Sequence, residues 1–120
     1  MGINSFAMAN RIEAAVFKQQ SALGPIPLSA GTTTPISATD LWVTQATFYG
    51  YKTVSQNAAP TNNGANAAVG PVVGGTAKLV DVIVPGGKVV YAPSLGTKFN
   101  LKDIAASGSG TDAVFVTYIQ

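Results

Sequence analysis

From Asp40 onward the apolar positions fall in short runs rich in Val, Ile, Tyr, Phe and Thr, with turn residues between them. That spacing predicts antiparallel strands. The first strand is expected from Leu41 to about Lys52, followed by a loop at 57–67 with Pro60 and Asn63-Gly64 as breakers. A short strand over Ala68–Val73 carries Pro71, which predicts an edge or irregular piece because proline cannot donate to a ladder. Ala77–Val84 is a stronger strand pattern. Pro85-Gly86-Gly87 then suits a turn with proline at its second position and a glycine free to take positive φ at its third. Lys88–Ala92 is expected to return as the hairpin partner. In Phe99–Ile104, Phe99 and Leu101 are expected inward and Asn100 and Lys102 outward. Gly108-Ser109-Gly110 marks another turn, and Ala113–Ile119 closes the chain. That last strand is apolar on both faces, which predicts a central or interface strand.

The pattern before Asp40 differs. Met8, Ile12 and Val16 recur at helical spacing, and Asn10 with Glu13 fits an N-terminal cap, so a short helix is expected that ends at Gly24-Pro25. A helix of about 10–14 residues is marginal alone in water and needs a packing surface, either its own body or a neighbour. Residues 21–39 are rich in Pro, Gly, Ser and Thr and predict an extended arm. The backbone of such an arm needs polar partners, and the expectation is that a neighbouring subunit supplies them. The chain therefore divides into a helix and arm at 1–39 and a body at 40–120. The expected fold is mainly β: a small antiparallel β-sandwich or jelly-roll-like barrel preceded by a short N-terminal helix and an extended arm.

Composition narrows the function. The chain has 120 residues, 7 Lys plus Arg, 5 Asp plus Glu, and neither Cys nor His. Without Cys there is no disulfide, thiol nucleophile or thiolate metal site. Without His the commonest general base and transition-metal ligand are missing. The basic residues are scattered singly, unlike a phosphate-tracking surface. Only 10% of residues are charged, which suits a surface covered by other protein, since charge is depleted at interface cores. No apolar run reaches the ~20 residues of a membrane span, and residues 1–8 lack the pattern of a secretory signal.

The chemical motifs fail one by one. Gly108, Gly110 and Ala113 match a dinucleotide-binding glycine pattern, but a strand pattern follows where a helix is required. Gly70 and Gly75 have P-loop spacing with Thr76 where the lysine must stand. Ser94 has no histidine to activate it. Asp103 and Asp112 flank the 104–111 loop and are weighed as a calcium pair against solvated turn residues. The expectation is a protein that is not an enzyme and has no cofactor, metal, nucleic-acid or membrane partner.

Trp42, Phe48, Tyr49 and Tyr51 crowd one strand. They suit a core, interface anchors, or stacking on sugars. At this point the body resembles the small β-sandwich structural proteins of tailed bacteriophage particles, most of all capsid decoration (cement) proteins. Residues 38–52, 82–104 and 110–119 carry the likeness: an opening strand, a Pro-Gly-Gly turn, Gly-Thr-Lys-Phe leading into the next strand, and a Val-rich final strand. The resemblance implies a virion protein at the capsid surface, made in the bacterial host cytoplasm. Its partner would be the major capsid protein or another virion protein, and it would be a homo-oligomer, dimer or trimer. Phe6, Met8, Ile12, Val16, Phe17, Leu23, Trp42 and Tyr49 are the expected partner-binding residues. The alternatives are a head–tail neck or tail-surface protein, and a carbohydrate- or receptor-binding β-module.

Overall fold

The computed structural model describes residues 20–120. The expected N-terminal helix, with Phe6, Met8, Ile12, Val16 and Phe17, lies outside the described residues. The fold is mainly β and antiparallel. In chain order the strands are β1 (Ser21–Pro27), β2 (Thr34–Pro35), β3 (Trp42–Val43), β4 (Gln45–Tyr49), β5 (Tyr51–Ser55), β6 (Ala58–Asn62), β7 (Ala67–Val73), β8 (Thr76–Ala77), β9 (Asp81–Ile83), β10 (Lys88–Tyr91), β11 (Phe99–Asn100), β12 (Ile104–Ser107) and β13 (Ala113–Ile119). One sheet runs β1-β13-β4-β10. A second runs β2-β12-β7-β8, with β9 also paired to β7. Two small ribbons, β11-β3 and β5-β6, complete the pairing.

The two larger sheets share one core. In the first sheet Leu23 lies opposite Val116, Val116 opposite Phe48, and Phe48 opposite Val89. Side chains opposite one another share a face, so this row points inward together. Val69, Ile83 and Ala106 meet it from the second sheet, Val43 comes from the β11–β3 ribbon, and Leu28, Ile36 and Leu101 come from the connections. Burying a side chain the size of Phe48 or Leu101 contributes about 1.5–3 kcal/mol. β13 is the central strand its doubly apolar pattern predicts, held between β1 and β4.

Residues 21–39 correct the expectation of an arm partnered from outside. β1 pairs with β13 and β2 with β12 of the same chain. Leu28 and Ile36 are core residues, and their amides donate to the carbonyls of Asp112 and Ile104. The prolines fit because they fall at edges. Pro25 sits where the β1–β13 register shifts, beside Gly24 at φ +93°, and Pro35 lies on the two-residue edge strand β2.

Both expected turns are present, but neither joins a hairpin. At 84–87 the Gly87 amide donates to Val84 O at 2.8 Å, and Gly86 takes φ +73°. The flanking strands then part: β9 pairs with β7, and β10 with β4. At 109–112 the Asp112 amide donates to Ser109 O, while β12 and β13 belong to different sheets. Each turn is a corner at which the chain changes sheet. Two sheets with one apolar face each are buried only when packed on each other, and that global demand overrides the local hairpin.

Other boundaries move for identifiable reasons. The predicted strand over 41–52 breaks at Thr44 and Gly50. The predicted loop at 57–67 contains β6, an exposed edge strand paired to β5. Pro71 lies in an inner strand rather than at an edge. Its carbonyl accepts from Lys78 N on the side where β8 and β9 leave a gap, so its missing N–H faces that gap and not β12. Phe99–Ile104 is interrupted by a 3-10 turn at Leu101–Asp103, and Asn100 is buried rather than outward. The Asn100 side-chain oxygen accepts from Leu41 N and Lys102 N, and its Nδ2 donates to Asp40.

Deleting residues 1–37 removes two strands and two core residues, so circular dichroism of that truncation is expected to show loss of the β fold. Deleting 1–19 leaves every pairing above intact and is expected to keep it. A Cβ on Gly70 would sit 1.7 Å from Lys78 O, so Gly70→Ala is expected to cost about 2–3 kcal/mol in urea unfolding. Asp112 is buried and its two side-chain oxygens accept from Gly64 N and Ala65 N. Asp112→Ala is expected to cost about 2–4 kcal/mol by the same measurement.

Candidate functional site

β9 and β10 leave the 84–87 turn into different sheets, and the space between them is a groove of about 480 Å³. Val80, Asp81, Val90, Tyr91, Phe99 and Ile104 line it, with Pro71, Ala92 and Pro93 at its margins. Val80 and Asp81, at the start of β9, form one wall. Within β9, Ile83 points into the core and Asp81 is half-buried, so Val82 takes the outer face, and Val80 and Val84 flank the strand. Val80, Val82 and Val84 are 73%, 58% and 52% exposed, and Val90 on β10 is 48% exposed. Val80 and Val90 line the groove and are exposed, while Val82 and Val84 lie outside its lining, so the groove presents apolar side chains to solvent.

Tyr91 forms the polar part of the groove. It stands opposite Ala46 of β4. Its ring packs edge-on against Phe48 at 5.0 Å and against Phe99 at 6.4 Å. Its hydroxyl donates to Asp81 Oδ2 at 2.7 Å, tying the two sheets together across the groove. Burial, then the hydrogen bond to Asp81, then the charge of Asp81 push the Tyr91 phenol well above its ordinary range. The phenol therefore stays protonated and acts as a strut. Among the described residues no three His, Cys, Asp or Glu side chains gather as a metal site. No described helix is long and apolar enough to cross a membrane. What the groove can do chemically is hold apolar side chains away from water.

The expected site residues are dispersed. Trp42 is 53% exposed on β3, opposite Asn100. Tyr49 is half-buried between Phe115 and Lys88. It stacks on Tyr51 with ring centroids 5.5 Å apart, and lies 6.2 Å from Phe115. Trp42 belongs to the β11–β3 ribbon and Tyr49 to the four-stranded sheet, so they do not stand side by side in one sugar-stacking platform. Phe48 is core, and Leu23 packs against the core of its own chain. Asp112 spends both oxygens on the 64–65 backbone while Asp103 is exposed, which is not the geometry of a shared calcium site. Gly74 and Gly75 both take positive φ in the tip between β7 and β8, a hairpin turn rather than a phosphate cradle.

The groove itself was not among the expected sites. Its signal is the valine alternation at 80, 82 and 84, which marks a strand face without saying whether that face is covered. No protein-family model, curated protein or solved structure matches the chain.

The raised Tyr91 pKa sets a pH dependence. A group that holds its proton more tightly in the folded state adds stability that is complete below its unfolded pKa, about 10. That stability is lost as pH rises above the ordinary phenol range. Urea unfolding from pH 8 to 11 is expected to show an alkaline loss in the wild type that is smaller in Tyr91→Phe, and spectrophotometric titration is expected to show one late tyrosine that this variant lacks.

Proposed function

We propose that this chain is a non-enzymatic virion structural protein that binds and stabilises a phage capsid as a decoration protein, with its two sheets forming a small β-sandwich. The exposed apolar surface around the β9–β10 groove, on a chain with few charges, is the observation that carries this reading. Surfaces of that kind mark protein contacts, and the pattern resemblance to phage cement proteins directs the choice of partner. The partner is the major capsid protein, the location is the outer capsid surface, and the working form is a homo-oligomer.

The mechanism is linkage. A protein that binds the assembled lattice and not its dissociated subunits stabilises the lattice in proportion to occupancy. Trp42 is suited to anchor such a contact because a large, half-exposed ring supplies area at little entropic cost. The segment before Gln20 supplies Phe6, Met8, Ile12, Val16 and Phe17 as further apolar contacts.

The deciding experiment is reconstruction of the particle that carries the chain. Copies over the whole icosahedral shell support decoration, and copies in one ring point to a neck or tail protein. In co-sedimentation with shells lacking the protein, Trp42→Ala and the 1–19 deletion are each expected to weaken binding about tenfold without change in circular dichroism. Undiminished binding by both would remove these residues from the contact.

A further inference from the structure

Ala92–Phe99 leads from β10 to β11. Within it the Thr97 amide donates to Ser94 O, and Gly96 takes φ +80°, which closes a tight turn. Leu95 is at the tip of that turn and is fully exposed, at 105%. A leucine with no cover at all on a turn tip is a knob. Ala92, Pro93 and Phe99, at the two ends of the same segment, line the β9–β10 groove. Knob and hole are therefore neighbours on one molecule.

We infer that this face joins two copies of the chain about a two-fold axis, with Leu95 of each seated in the β9–β10 groove of the other. This goes beyond the capsid reading and does not depend on it, because it concerns the free protein. Three observations favour a second copy over another occupant. The first is adjacency. A two-fold interface uses the same patch twice, so that a residue meets its counterpart's partner and the reverse. A knob placed beside its own hole satisfies that requirement.

Charge is the second. The Ala92–Phe99 segment has Lys98 as its one charged residue. Asp81 is the one charged residue among the described residues lining the groove. Its Oδ2 is held by Tyr91, and the carboxyl faces the space the segment would enter. Docking the turn brings unlike charges together twice.

The third is area. Leu95 and the groove residues Val80 and Val90 are exposed, at 105%, 73% and 48%, and supply part of the area such a contact buries. A stable complex buries about 800 Å² per partner, and the groove walls and the turn backbone supply the remainder. A small contact of this kind fits a reversible monomer–dimer equilibrium rather than a permanent dimer.

The test uses the full chain without shells. Sedimentation equilibrium is expected to show a monomer–dimer equilibrium. Leu95→Asp and Lys98→Glu change exposed side chains and are expected to weaken it at least tenfold with unchanged circular dichroism. Because the chain has no cysteine, a directed cross-link is clean. Leu95→Cys mixed with Val80→Cys is expected to give a disulfide-linked dimer under mild oxidation, in greater yield than either variant alone. A wild type that stays monomeric at about 100 μM would overturn the inference. So would association that Leu95→Asp leaves unchanged, or a cross-link no better in the mixture than with either variant alone. If the wild type is monomeric and Leu95→Asp instead loses binding to shells, the groove's occupant is a capsid subunit and not a second copy.

Discussion

Three segments of the chain meet at Gly50. Its amide donates to Gly87 O, and its carbonyl accepts from both Asn63 N and Gly86 N, all at 3.0–3.1 Å. A Cβ there would lie 2.5 Å from Val84 O, closer than packed atoms come, so the contact admits only glycine. This knot pins the 84–87 turn against the end of β4 and the exit of β6. With the turn pinned, β10 continues as the neighbour of β4 while β9 joins β7. The divergence of those two strands opens the groove, and Tyr91 braces it by reaching Asp81.

A second knot secures the other corner. Asn63 donates from Nδ2 to Ala113 O and accepts from Ala113 N at Oδ1. The side-chain amide thus pairs with β13 as a strand backbone would. Asp112, next in line, accepts from Gly64 N and Ala65 N. Asn63 and Asp112 are buried polar residues whose hydrogen bonds are made, so burial costs little and the β12–β13 corner is specified. Both corners are held by polar contacts between residues far apart in the chain, and the apolar core fills the space between them.

The functional surface follows from this plan. A small two-sheet body has little interior to spare for a cleft, and its polar groups are occupied in closing corners. Its exposed large apolar residues include Val80, Val82 and Val84 around β9, Val54, Val73, Val90, Leu95 and Trp42. The proposed shell contact and the inferred self-association both draw on this exposed apolar surface.

The sequence by itself determined the β character, the turn at 85–87 and, to within two residues, the one near 108–110, the central place of β13, and the absence of thiol and imidazole chemistry. These depend on residue type and on spacing within about ten positions. Tertiary structure alone decided which strands pair. It turned the apparent hairpin at 84–87 into a sheet change, built 21–39 into the body, and buried Asn100 as a clamp on Leu41, because each depends on distant partners such as Ala46 for Tyr91, Tyr118 for Ser21 and Leu41 for Asn100. It also decided that Val80, Val82 and Val84, in and beside β9, are exposed. Alternation places Val80, Val82 and Val84 on one side of a strand, but only the pairing of β9 with β7 settles which side the core takes.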